Sequence, residues 1–212
     1  LKQVRLVNPE ASAVKLEHIR TGYRENANMV FSWEVEIGGQ TFDHTVTQVD
    51  LSMVEITDLA EVEQKLNCLP NLEQVTFGVC GVDNADWGNS RSKFTASPIP
   101  NEDMSAYRDR VRDQYKVVWT VRLGPSIAIP TDKDNFMPNH FGVGQLPDSY
   151  AYNLRYCEDM VCVDLGHMAI TDISFVEGMP HLKYFIVIDS PLMFIDSIST
   201  CKELIYLEFF WN

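Results

Sequence analysis

The side chains that could do chemistry in this chain are scattered. Five histidines (His18, His44, His140, His167, His181) form no H-E-x-x-H pair or comparable constellation, and none lies beside an evident nucleophile, so they read as surface residues. Thr131 to Asn135 (TDKDN) sets carboxylates two residues apart, as some calcium loops do, but lacks the glycine and the distant glutamate of an EF-hand. Phe141 to Gly144 (FGVG) is a flexible-loop pattern rather than a dinucleotide fingerprint, and neither a G-x-S-x-G motif nor a P-loop occurs. The five cysteines (Cys68, Cys80, Cys157, Cys162, Cys201) are odd in number and contain no C-x-x-C pair, which reads as free thiols rather than a zinc site. The sequence therefore assigns no catalytic residue, no metal ligand and no cofactor.

Bulk properties narrow the partners. Seventeen basic against thirty acidic residues give a formal charge of -13, so a polyanion would be repelled by most of the surface, and nucleic acid and anionic lipid are poor partners. A composition 45% hydrophobic and 11% aromatic is enough to bury a real core. No apolar stretch approaches the roughly 18 to 20 residues that cross a bilayer, so no membrane insertion is expected and the chain reads as soluble. It opens at Leu1 without a methionine, which suggests an omitted upstream segment and leaves no targeting peptide to read.

The elements that must position any site are announced by a repeat. VDLSMVEITDL (Val49 to Leu59) returns as VDLGHMAITDI (Val163 to Ile173), and the second copy opens a run with a period of 22: Met160 to His181, Leu182 to Glu203, then Leu204 to Asn212. Apolar residues recur as Met160, Val163, Leu165, Ile170, Ile173, Val176 and Met179, then as Leu182, Phe185, Val187, Leu192, Ile195, Ile198 and Cys201. That spacing fits the L-x-x-L-x-L pattern of a leucine-rich repeat, one short strand plus a helical or 3₁₀ return per unit. The earlier unit steps from Leu51 to Phe77 in 26 residues, which predicts a true helix over 59–69, whereas 173–179 is expected to be 3₁₀. The expected fold class is α/β. It is a leucine-rich repeat solenoid, with a curved parallel sheet, short convex helices and 3₁₀ turns, interrupted by an inserted helix–strand–loop segment. Residues 1–212 form one irregular domain, with 83–158 as an insertion within the array. Asp50 and Asp164 are expected at equivalent outward positions of one sheet.

The stretch ITDISFVEGMPHL and its neighbours resemble the 22-residue repeats of internalin-like bacterial leucine-rich repeat proteins, over residues 46–82 and 160–212. The resemblance implies a non-enzymatic binding protein, secreted or displayed on a bacterial cell surface. Those repeats usually carry Asn at position 9, bonded to the adjacent coil. Here Val54, Cys80, Met168 and Ser190 stand there, and Asn212 alone fits.

Outside the repeats, FSWEVEIG (Phe31 to Gly38) and VVWTVRLG (Val117 to Gly124) echo each other, and both Trp33 and Trp119 are expected to be buried anchors. Each follows a helical pattern, over 9–25 and 101–116, the second with Met104, Tyr107, Val111 and Tyr115 on one face behind Pro100. Gly38-Gly39 predicts a hairpin returning into Gln40 to Asp43.

Repeat geometry fixes which residues the concave sheet face must show. Candidate ligand-binding residues are Asp164, His167, Tyr184, Ile186, Asp189, Tyr206, Glu208, Phe210 and Trp211, an apolar and aromatic patch rimmed by carboxylates. The expected function is a non-enzymatic module binding a protein or other macromolecular ligand there. The alternatives are a hydrolase-like enzyme with a site in 83–158, or a structural spacer of a surface protein. A bare final unit also predicts a longer array, or a homodimer through the C-terminal edge strand 204–210.

Overall fold

A computed structural model describes residues 3–27, 29–83, 87, 95–125, 127–138 and 145–212. The first unit is a strand–helix–strand. β1 (Gln3–Val7) lies parallel to β2 (Val30–Ile37) across α1 (Ala13–Ala27), and β2 turns at Gly38-Gly39 into antiparallel β3 (Gln40–Asp43). Gly38 has φ +56°, and a Cβ there would come within 2.0 Å of Val54 Cγ1, so only glycine closes this turn. The alternation of Phe31, Trp33, Val35 and Ile37 puts all four into the core.

β4 (Gln48–Leu51) pairs parallel with β5 (Gln74–Cys80) across α2 (Leu59–Leu66). Asp58 caps this helix by accepting from the Glu61 N–H at 3.1 Å, and Val62 and Leu66, four apart on one face, are buried. β5 also pairs with β6 (Ala96–Ser97) and with β7 (Lys116–Arg122), reached through α3 (Asn101–Val111). In α3 the buried face is Met104, Tyr107 and Val111. β8 (Ala128–Pro130) returns antiparallel on β7. The remaining chain forms β9 (Asn135–Phe136), the short helix α4 (Asp148–Ala151), and strands β10 (Cys162–Asp164), β11 (Tyr184–Ile188) and β12 (Tyr206–Phe210), all parallel in the order β12-β11-β10-β9. The returns between the last strands are 3₁₀ turns at Ser174–Gly178 and Asp196–Thr200.

The expected solenoid with one curved parallel sheet is corrected by this topology. The strands divide among three sheets, of orders β1-β2-β3, β4-β5-β7-β8 with β6 on β5, and β12-β11-β10-β9, and two pairings are antiparallel. Two local causes break the array. The Gly38-Gly39 hairpin sends β2 back on itself. β8 then occupies the edge of β7, with Arg122, Val121 and Thr120 opposite Ala128, Ile129 and Pro130, so β10 has no β7 edge to join. The register of β5 against β7 also shifts between Thr76 and Val79. Asp50 and Asp164 accordingly sit on parallel strands of different sheets. What the two VDL copies share is local. Asp50 accepts from the Ser52 N–H at 2.8 Å and Asp164 from the Gly166 N–H at 3.0 Å, and three residues after each leucine the chain turns back onto it.

Most buried apolar residues, from Leu16 to Cys201, form one contiguous cluster beneath the three sheets. Trp33 and Trp119 are both fully buried. Their indole N–H groups donate to the Cys68 carbonyl at 2.7 Å and to Asn101 Oδ1 at 2.9 Å, which removes the penalty of an unpaired donor in the core.

Candidate binding face

β10, β11 and β12 repeat at the 22-residue period, and their parallel register stacks equivalent residues into rows. Phe185 and Val187 point inward and are fully buried, so Tyr184, Ile186 and Ile188 point outward. The first row is Cys162, Tyr184 and Tyr206; the second is Asp164, Ile186 and Glu208. Ile188 then pairs with Phe210. Beyond the strands, His167, Asp189 and Trp211 hold the same left-handed conformation, with φ of 62°, 51° and 57°. His and Asp tolerate that region, whereas Trp is uncommon there. The His167 N–H donates to the Ile188 carbonyl at 2.8 Å and the Asp189 N–H to the Phe210 carbonyl at 3.1 Å, so the turn is fixed by the neighbouring strand. All nine sequence-derived candidates thus lie on this one face.

Its polar groups are locally held. His167 Nδ1 lies 2.9 Å from Asp189 Oδ2. The Tyr206 hydroxyl donates to Glu208 Oε2 at 2.8 Å, and that carboxylate pushes the phenol above its usual range. Cys162 is half-buried, and burial followed by Asp164 and Asp134 pushes its thiol up. The aromatic groups stay in solvent: Tyr184, Tyr206 and Phe210 are exposed, and Trp211 is 77% exposed.

The period also misplaced residues. Ile195, the counterpart of buried Ile173, is 54% exposed, and Met193 and Phe194 beside it are exposed too. With Phe209, Phe210 and Trp211 they line a recess of about 360 Å³ at the β12 end. The unbroken apolar run Leu192 to Ile195 was the available signal. At the same end, Asn212 accepts from the Ser190 N–H at 3.0 Å and donates to the Val187 carbonyl at 2.9 Å, the position-9 bonding expected of an asparagine.

A second cavity, of about 330 Å³, lies within reach of the stretch 83–158, where an enzymatic site was the alternative. Its wall includes Arg108, Arg112, Lys116, Thr131, Glu158 and Asp159. Arg108 stacks 5.0 Å over the Trp119 ring and donates to the Tyr156 carbonyl at 2.8 Å and Glu158 at 2.5 Å. Arg112 reaches the same Glu158 at 3.0 Å, and Lys116 pairs with Asp159 at 2.9 Å. These charges are engaged with one another across the seam between α3, β7 and the turn before β10. Thr131 Oγ1 accepts from the Trp119 N–H at 3.2 Å, so it too is structural. Cys157, buried nearby, is pushed up to about 12 by burial, the opposite of what a nucleophilic thiol needs.

Among the described residues no group of three His, Cys, Asp or Glu is placed to hold a metal ion, and no helix is long and apolar enough to cross a membrane. His140 and the FGVG stretch lie outside the described residues. No protein-family model matches the chain, and no characterised protein matches it either.

Proposed function

We propose that this chain is a non-enzymatic binding module that presents the outward face of β10, β11 and β12 to a protein ligand. The observation that carries the reading is the placement of Tyr184 beside Tyr206 and Ile188 beside Phe210 in register on a sheet face that no described segment covers at its β11–β12 end, with Trp211 exposed beside them. Aromatic side chains of this kind dominate the energetics of protein interfaces, and a contiguous exposed apolar patch rimmed by carboxylates has interface composition. In the second cavity Arg108, Arg112 and Lys116 are paired with Glu158 and Asp159, so an enzymatic alternative would have to use Asp113 or Asp132, which also line it. An exported or surface-displayed location goes with this reading.

The test is a pull-down comparing wild type with a Tyr184→Ser, Tyr206→Ser, Trp211→Ser variant of unchanged melting temperature. The variant should lose the partners that the wild type retains; equal recovery by both contradicts the reading. A second use of β12 is favoured by Leu207, which is 42% exposed on a strand with a described neighbour on one side only. Such an edge can pair with a second copy. Light scattering at micromolar concentration separates the two uses: a dimer lost in a Leu207→Lys variant supports edge pairing, and a monomer leaves the face alone as the interface.

A further inference from the structure

Resting on the second use of β12 named above, we infer that this strand joins a second copy of the chain antiparallel, across a two-fold axis at Leu207. The backbone sets which residues can pair. The Tyr206 N–H donates to the Lys183 carbonyl at 2.9 Å, and the Phe210 carbonyl accepts from the Asp189 N–H at 3.1 Å. The even-numbered residues of β12 thus turn their backbone groups to β11. Leu207 and Phe209 turn theirs to the other side, where no described strand lies. A row of such groups is a template for another chain.

An antiparallel partner must therefore set odd-numbered residues against odd-numbered ones. Two registers do so and keep most of the strand paired, with the axis at Leu207 or at Glu208. Backbone bonding does not separate them, since Leu207 and Phe209 find partners in both. Side chains do. An axis at Glu208 sets that carboxylate directly opposite its own copy, with Cα atoms about 4.5 Å apart, and like charges so placed are destabilising. An axis at Leu207 sets each Glu208 opposite the Tyr206 of the second copy, a phenol in place of a carboxylate. On the other face of the strand Leu207 then meets its own copy and Phe209 meets Ile205; Leu207 and Ile205 are 42% and 71% exposed in the single chain. In this register the edge is complementary to itself, as a two-fold interface requires of one surface serving both protomers. Met193, Phe194 and Ile195, exposed at the same end, bring the apolar area toward the roughly 800 Å² per partner of a stable dimer. The charge of -13 on each chain opposes the approach of two copies, and the edge uses no ion pair, so added salt should favour the dimer.

The experiment uses the full chain at micromolar concentration. Light scattering should give twice the chain's 24.2 kDa, more completely at high salt, and Leu207→Lys should return the single-chain mass, because two lysines then face each other. Register is read by oxidation. Residues of a bonded antiparallel pair lie about 5.5 Å apart at Cα, within disulfide reach, whereas two residues out of register they lie about 8 Å apart, beyond it. A Leu207→Cys protein should therefore cross-link to itself, and the wild type, whose thiols all lie off β12, should not. In the unmodified chain the Leu207 and Phe209 amides should exchange more slowly as concentration rises. A disulfide formed only between Leu207→Cys and Phe209→Cys proteins in a mixture places the axis at Glu208 and overturns the register while leaving the edge dimer. A monomer at every salt concentration, with amide exchange independent of concentration, overturns the edge pairing itself. Neither result touches the outward face of β10 to β12, which the pull-down tests separately.

Discussion

The sheet of β4, β5, β7 and β8 and the sheet of β9 to β12 carry the same Val-Asp-Leu turn yet treat their outward faces in opposite ways. On β4, β5 and β7 the outward side chains are the polar Gln48, Asp50, Gln74 and Thr76, followed by Val118 and Thr120, which are buried. The segment at 95–97 crosses that end, its Thr95 bonded to Ser52 and Val79, and a Cβ on Gly78 would lie 2.0 Å from the Thr95 carbonyl oxygen. On β10, β11 and β12 the outward side chains are Tyr184, Ile186, Ile188, Tyr206 and Phe210 together with Cys162, Asp164 and Glu208, and no described segment crosses the β11–β12 end. An exposed apolar row is therefore not a by-product of the repeat. One sheet is polar or covered, and on the other no described segment lies over the β11–β12 end, as the proposed binding role requires.

The largest way to break this contrast is through the first region's anchor. Trp119→Ala removes a fully buried indole, its bond to Asn101 and the surface on which Arg108 stacks, and should cost about 3 to 5 kcal/mol. For a domain of this size that is a fall of roughly 6 to 20 °C in melting temperature. Tyr184→Ser, at an exposed position of the open face, should change stability within about 0.5 kcal/mol. Comparable losses in the two variants would mean that the second face is packed rather than open.

Helix capping gives a smaller, sharper contrast. Asp58 starts a true helix, and Asp58→Ala should cost about 1 kcal/mol in urea unfolding. Its counterpart Asp172 accepts from the Ser174 N–H at 2.8 Å at the start of a 3₁₀ turn, where fewer donors are aligned, and Asp172→Ala should cost less.

The thiols divide along the same line. Cys68, Cys80, Cys157 and Cys201 are buried, and Cys162 lies half-buried on the open face, so a thiol reagent should label it first in the native protein. Burial raises Cys80 and Cys157 from 9.0 to about 12, so their contribution to stability is fully present below pH 9.0 and is lost as pH climbs from there toward 12. A Cys80→Ala, Cys157→Ala variant should show a shallower alkaline fall in its unfolding midpoint; an unchanged slope assigns that fall to other groups.

Much of this was legible in the sequence wherever periodicity is local. The helix beginning at Leu59, the 3₁₀ turn in 173–179, the Gly38-Gly39 hairpin and both buried tryptophans follow from patterns within a few residues. The division into three sheets did not, because it depends on β8 folding back onto β7 within a stretch rich in Pro, Gly and Asp that carries no apolar rhythm. β1 was missed for a related reason, since QVRLV is too short to separate from a loop without its parallel partner β2. The nine face residues came from register alone, and register within β10 to β12 is what the 22-residue period encodes. Ile195 shows where that reasoning ends: the period fixes a direction for a side chain, and only a packed neighbour buries it.

Exposure of the outward face of the second sheet can be read by acrylamide quenching of tryptophan fluorescence in wild type and in a Trp211→Phe variant. Of the four tryptophans, Trp33, Trp87 and Trp119 are 4% exposed or less, and Trp211 is 77% exposed. The wild type should show a red-shifted, readily quenched component that disappears in the variant. Emission that is uniformly shielded in both proteins would contradict it, because the face would then be covered in the free protein.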